Sequence, residues 1–257
     1  MPTDDPFYVG YLDRAPGPTA RFVRRILFGL LGGGLAVAAL VAWAQSRLPT
    51  AAFEFGRPRA FEGTIDTIPI PTLLVPLPGT PTGGGDVSRL ALVAEGKHGA
   101  GDQVGGSHHE PVTLEGTLIY RDGQTMLELV DGTLAPDTDA APVRATPPER
   151  LGTVTLQGEI VDAKCYLGVM VPGESTTHRA CAVRCLSGGI PPMLAVRDSA
   201  GLRASVWLTG IGGSPLGETV LLLVAKPVEL TGVLWSFDNQ LVLEVDPGAL
   251  THNALMP

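Results

Sequence analysis

The chain has 257 residues, enough for one large domain or two small ones with a full apolar core. Charged residues make up 17%, Gly numbers 33 and Pro 23, a mixture that suits short strands joined by turns better than a helical bundle. The net charge of −8 argues against a nucleic-acid partner.

Residues 1–25 read as a cytoplasmic tail. The tail carries Phe7-Tyr8-Val9-Gly10-Tyr11-Leu12. Aromatics are unusual in a free polar tail, so Phe7, Tyr8 and Tyr11 are candidates for docking on a partner or lying in a membrane interface. Residues 26–46, ILFGLLGGGLAVAALVAWAQS, hold no charge. At about 1.5 Å per residue they reach across a hydrocarbon core of about 30 Å and predict one transmembrane helix. Arg21, Arg24 and Arg25 precede the run and only Arg47 follows it. The positive-inside rule then places the N-terminus in the cytoplasm and the bulk of the chain in the periplasm of an inner membrane. Cleavage near Ala42-Trp43-Ala44 would instead release a soluble module. Gly29 and Gly33 form a G-x-x-x-G pair through which another helix could approach.

The region beyond the helix contains an internal repeat. Val112–Leu134 and Val228–Leu250 align without a gap, with ten of 23 positions identical. Each copy predicts a hairpin, turning at Asp122-Gly123 and at Asp238-Asn239. The front halves also correspond: Phe61–Asp66 with Leu156–Val161, and Leu90-Ala91-Leu92-Val93 with Leu194-Ala195-Val196. Five short strands with a Gly in the first predict a small Greek-key barrel of the OB type, twice over. The expected organisation is mainly β: a first unit over 47–134, a Pro/Asp/Ala-rich linker over 135–150, and a second unit over 151–257. The second unit carries extra length around its cysteines.

That extra length holds Cys165, His178, Cys181 and Cys185, the pattern C-x12-H-x2-C-x3-C. A helical turn would put His178, Cys181 and Cys185 on one face, ended by Gly188-Gly189 and kept from resuming by Pro191-Pro192. Three readings stay open. One is a disulfide from Cys165 to Cys181 or Cys185, as expected outside the cytoplasm. Another is a zinc site of three thiolates and one imidazole. The third is thiols packed as small hydrophobes. A second histidine group, His98, His108 and His109, sits in a Gly-rich stretch with Glu95, Asp102 and Glu110 and reads as a solvated loop.

The segment Gly158, Ile160, Asp162, Cys165, His178, Cys181, Cys185 and Gly188-Gly189 resembles one found in little-characterised bacterial membrane-anchored or exported proteins. The resemblance covers about 40 residues. It implies an OB-like domain and brings no catalytic residues. Nucleotide loops, metalloprotease and serine-hydrolase motifs are all missing from the sequence. The expected role is therefore non-enzymatic and without a cofactor: an accessory subunit of a bacterial membrane complex, of respiratory or photosynthetic electron transfer, contacting other subunits and the lipid bilayer. The alternatives are a metal- or redox-active periplasmic domain using the Cys/His cluster, with zinc as its metal, and a cleaved periplasmic binding module.

Overall fold

The computed structural model describes residues 14–46, 51–76, 87–197 and 203–250. The docking candidates Phe7, Tyr8 and Tyr11 lie outside the described residues. The chain divides into two units, Met1–Pro49 and Thr50–Pro257.

Among its described residues the first unit has one helix, α1 (Gly17–Gln45), of 29 residues. At about 1.5 Å per residue it is about 44 Å long, enough to cross a membrane. It begins nine residues before the apolar run. Pro18 stands in the first turn, where its missing N–H removes no bond and its fixed φ suits the helix. None of its residues is buried, and large side chains such as Leu30, Leu35 and Trp43 are exposed along it.

The second unit holds two closed five-stranded barrels. In the first, β2 (Arg59–Asp66), β3 (Thr72–Pro76), β4 (Val87–Val93), β5 (Pro111–Arg121) and β6 (Gln124–Leu129) close in the order β2-β3-β4-β6-β5. The β4–β6 pair is parallel and the others are antiparallel. Short strands β1 (Ala51–Phe53) and β7 (Ala135–Pro136) add to β5 from outside, and a single helical turn, α2 (Gly101–Val104), sits between β4 and β5. The second barrel repeats this connectivity. β8 (Glu149–Asp162), β9 (Pro192–Arg197), β10 (Arg203–Thr209), β11 (Pro227–Phe237) and β12 (Gln240–Glu244) close in the order β8-β9-β10-β12-β11, with β10–β12 parallel. Helices α3 (Arg179–Ser187) and α4 (Thr219–Leu223) belong to it.

The two hairpins match as the repeat predicts: Arg121 pairs Gln124, and Phe237 pairs Gln240, across turns whose Asp122 and Asp238 have φ of 50° and 49°. The first strands match too. Gly63 and Gly158 occupy equivalent places, and an added Cβ would lie 2.3 Å from the Leu74 carbonyl oxygen or 2.4 Å from that of Ala195. Only glycine lets the first strand coil this closely over its neighbour. One expected correspondence is corrected. Leu90–Val93 lies in a third strand, β4, whereas Leu194–Val196 lies in a second strand, β9; the equivalent of β4 is β10. The extra length of the second unit falls between its first two strands, as residues 163–191.

Three apolar clusters organise the unit. Ile65, Leu73, Leu90, Leu92, Leu114 and Leu127 fill the first barrel, plugged by Val104 of α2. Ile160, Leu194, Val206, Leu230 and Leu243 fill the second, plugged by Val220 and Leu223 of α4. The third cluster lies between the barrels. Ala91, Val93, Ile119 and Met126 of the first meet Val161, Met193, Trp207 and Val242 of the second, with Tyr166 and Leu167 of the insertion. Adjacent strand residues point to opposite faces, so Leu90 and Leu92 enter the barrel while Ala91 and Val93 enter the joint. Burying each large side chain there is worth roughly 1.5–3 kcal/mol.

Buried cations cross the same joint. Arg89 of β4 pairs with Asp66 (3.0 Å) and with Asp238 of the other barrel's hairpin (2.8 Å). Lys164 of the insertion donates to the carbonyls of Ala94 (2.8 Å) and Gly96 (2.7 Å) and pairs with Glu128. Arg121 donates to the Tyr166 carbonyl (2.9 Å) and lies 4.0 Å over that ring. Residues expected as a linker run across both barrels: the Val143 N–H donates to Thr64 Oγ1 and the Thr146 N–H to Asp238.

Candidate functional site

The cysteine site is built from the insertion that leaves β8. Asp162 ends that strand, fully buried, and serves two groups. Its Oδ1 accepts the Cys165 backbone N–H at 2.9 Å, which fixes the start of the turn Cys165–Val169. Its Oδ2 lies 3.0 Å from His178 Nε2, itself buried. Gly168 of the turn presses on β1, where an added Cβ would lie 2.4 Å from the Ala52 carbonyl oxygen. The chain returns through Ser175, whose N–H donates to the Glu159 carboxylate, and enters α3 with His178 as the residue before its first turn.

Helix α3 carries Cys181 and Cys185 one turn apart, so both face the same way. It ends at Gly188, with Gly189 at φ 89°, as the glycine pair predicts. This ending seats the helix on the first barrel. The Gly99 N–H donates to the Gly188 carbonyl at 2.9 Å, and a Cβ on Gly188 would lie 1.9 Å from the Lys97 carbonyl oxygen. The loop that carries Lys97 is thereby laid along α3. Lys97 Nζ reaches Cys181 Sγ at 2.7 Å and Cys185 Sγ at 3.8 Å.

Cys165 joins them, with its Sγ 3.9 Å from that of Cys181; all three sulfurs lie within 4.8 Å of one another. Cys165 and Cys185 are buried, and Cys181 is half-buried. All three are free thiols, so the expected disulfide is not formed here. The site separates the thiols electrostatically. The Cys165 thiol is pushed far up by its hydrogen bond to Cys185, by burial and by Asp162. Cys185 is drawn down by that same hydrogen bond and by Lys97, against its burial. Lys97 is raised in turn, chiefly by its hydrogen bond to Cys181.

Of the residues singled out in the sequence, Cys165, Cys181 and Cys185 converge. His178 groups with Asp162 and Cys165 instead, so Cys165 belongs to both sets. Lys97 is the residue the sequence does not announce, because it comes from the other barrel, 84 positions before Cys181. His108 and His109 stack on each other (centroids 3.7 Å apart) and gather with Asp66 rather than with His98. They line a cleft of about 740 Å³ beside Arg89, closed on one side by Pro142–Pro148. On α1, an added Cβ at Gly29 or Gly33 meets nothing within 4 Å.

No family model, curated protein or solved structure matches this chain.

Proposed function

We propose that the chain is a non-enzymatic accessory subunit of a bacterial membrane complex, tethered by α1 and presenting the two barrels as one stiff body. The observation that carries this reading is the joint between the barrels. A shared apolar cluster and the cross-barrel ion pairs Arg89–Asp238 and Lys164–Glu128 tie them together. Those buried charges are spent on joining one barrel to the other, which is the use a spacer or scaffold has for them. An open glycine face on α1 suits lateral packing against another membrane helix.

Both barrels are read as OB folds. Support comes from the strand order first-second-third-fifth-fourth, the parallel closing pair, the glycine in each first strand, and the helical plug between third and fourth strands. The helix is read as crossing the inner membrane with Arg21, Arg24 and Arg25 on the cytoplasmic side and the barrels in the periplasm. Scaffolding accounts for the joint but leaves the thiol cluster unused. The electron-transfer assembly expected from sequence remains the first partner to look for.

Isolation from native membranes in mild detergent, followed by mass spectrometry of everything recovered, tests the reading. A stoichiometric set of integral membrane partners is the expected result, and those partners name the assembly. Recovery as a lone monomer would overturn it.

A further inference from the structure

We propose that Cys165, Cys181 and Cys185 are ligands of one zinc ion, held at the joint with Lys97 of the first barrel as the compensating charge. Sulfurs bound about 2.3 Å from a tetrahedral zinc stand about 3.8 Å apart. The Cys165–Cys181 separation of 3.9 Å fits that spacing, and Cys185 lies within 4.8 Å of both. The three thiols need little movement to close on an ion.

Charge selects the metal. Three thiolates and a divalent cation leave one negative charge, and the Lys97 ammonium, 2.7 Å from Cys181, neutralises it. A monovalent copper ion in the same trio would leave two negative charges facing one lysine. Of the other polar groups nearby, Glu128 pairs with Lys164 and Asp162 bonds His178.

Outer contacts hold the ligands in place as they do around structural metals. Asp162 fixes the Cys165 backbone, and α3 sets the spacing of Cys181 and Cys185. His178 bonds Asp162 and so supports the site from outside, which leaves the fourth position to water. Entry is from the side of Lys97, which is exposed, and of the half-buried Cys181. Binding is an exchange without redox change: zinc–sulfur bonds form, each remaining S–H bond breaks, and its proton goes to solvent.

The test uses the full chain in detergent, kept reduced, stripped with a chelator and titrated with Co²⁺ and then Zn²⁺. The expected result is one equivalent of cobalt with tetrahedral, thiolate-to-metal absorption, bleached by one equivalent of zinc. Cys181→Ser removes the least buried ligand and should weaken zinc by more than roughly a hundredfold, beyond what the loss of an outer contact costs. Lys97→Met should weaken zinc by about tenfold while keeping the cobalt spectrum, the mark of an outer residue. Far-UV circular dichroism of each variant confirms folding. The proposal is overturned by a folded wild type that gives no tetrahedral cobalt spectrum. It is equally overturned by a Cys181→Ser variant that binds zinc like the wild type, by preference for monovalent copper, or by a Cys165–Cys181 disulfide in protein taken directly from membranes. None of these readouts needs a partner protein, so failure here leaves the scaffold reading standing, and the reverse.

Discussion

Arg89 and Asp238 meet at 2.8 Å across the two barrels, with side chains only 2% and 4% exposed. The pair is set where β4 of one barrel passes the hairpin turn of the other, and Asn239 beside it accepts the Arg89 backbone N–H at 2.7 Å. A guanidinium so buried depends on its two carboxylates, Asp66 and Asp238, for compensation.

Asp238→Ala leaves Arg89 with Asp66 alone and should therefore cost about 1.5–3 kcal/mol, the worth of a hydrogen bond to a charged group. Thermal unfolding of the detergent-solubilised chain, followed by tryptophan fluorescence, checks this. Trp207 is fully buried in the joint and donates to Gln124 of the other barrel at 3.3 Å, so it reports directly on separation. A shift no larger than that of a surface substitution would contradict the role given to Arg89.

Gly188→Ala should destabilise by roughly 1–3 kcal/mol, because its Cβ would fall 1.9 Å from a backbone oxygen that cannot rotate away. Gly101→Ala is the control, since nothing lies within 4 Å of an added Cβ there. The two variants compared in one urea titration isolate the contact between α3 and the Lys97 loop. Equal midpoints would show that this contact adds nothing.

In reduced, metal-free protein the thiols should alkylate in order of access, Cys181 first and Cys165 last. Cys165 is both buried and held protonated by Cys185 and Asp162, and the thiolate is the reactive form. Timed maleimide labelling with peptide mass spectrometry gives the order. Early modification of Cys165 would mean that the turn Cys165–Val169 opens readily.

Gly33→Leu should leave the barrels unaffected and reduce recovery of partner subunits several-fold, because it fills the open face of α1. Quantitative mass spectrometry of the detergent extract measures it. Unchanged recovery would move the lateral contact elsewhere.

The hairpins were legible because their signals are local: Asp-Gly and Asp-Asn between alternating apolar residues, repeated at one offset. So were the helix over the paired cysteines and its glycine stop. Strand order was not. Leu90–Val93 and Leu194–Val196 look alike because both strands are buried on two faces, one towards the barrel and one towards the joint, and an unbroken apolar run records burial rather than position in a sheet. The joint itself left no periodic trace. Arg89 and Asp238 are 149 residues apart, and Lys97 and Cys181 are 84 apart. Asp238 and Cys181 stand in motifs the sequence shows, but their partners Arg89 and Lys97 are single cations with no neighbour in sequence to mark them.

The repeat and the joint have a joint consequence. Ile119 and Met126 of the first hairpin enter the shared cluster, and their repeat equivalents Trp235 and Val242 enter it from the other side. Arg121 lies over Tyr166 of the second barrel, and its equivalent Phe237 lies under Arg89 of the first. The same patch of each barrel is therefore turned towards the other, which is the form of a two-fold contact between like subunits. Carried on one chain, that contact forms without a second molecule to find. Its strength does not fall on dilution as a dimer's would, and each half is free to diverge: one towards the cations, the other towards the thiols.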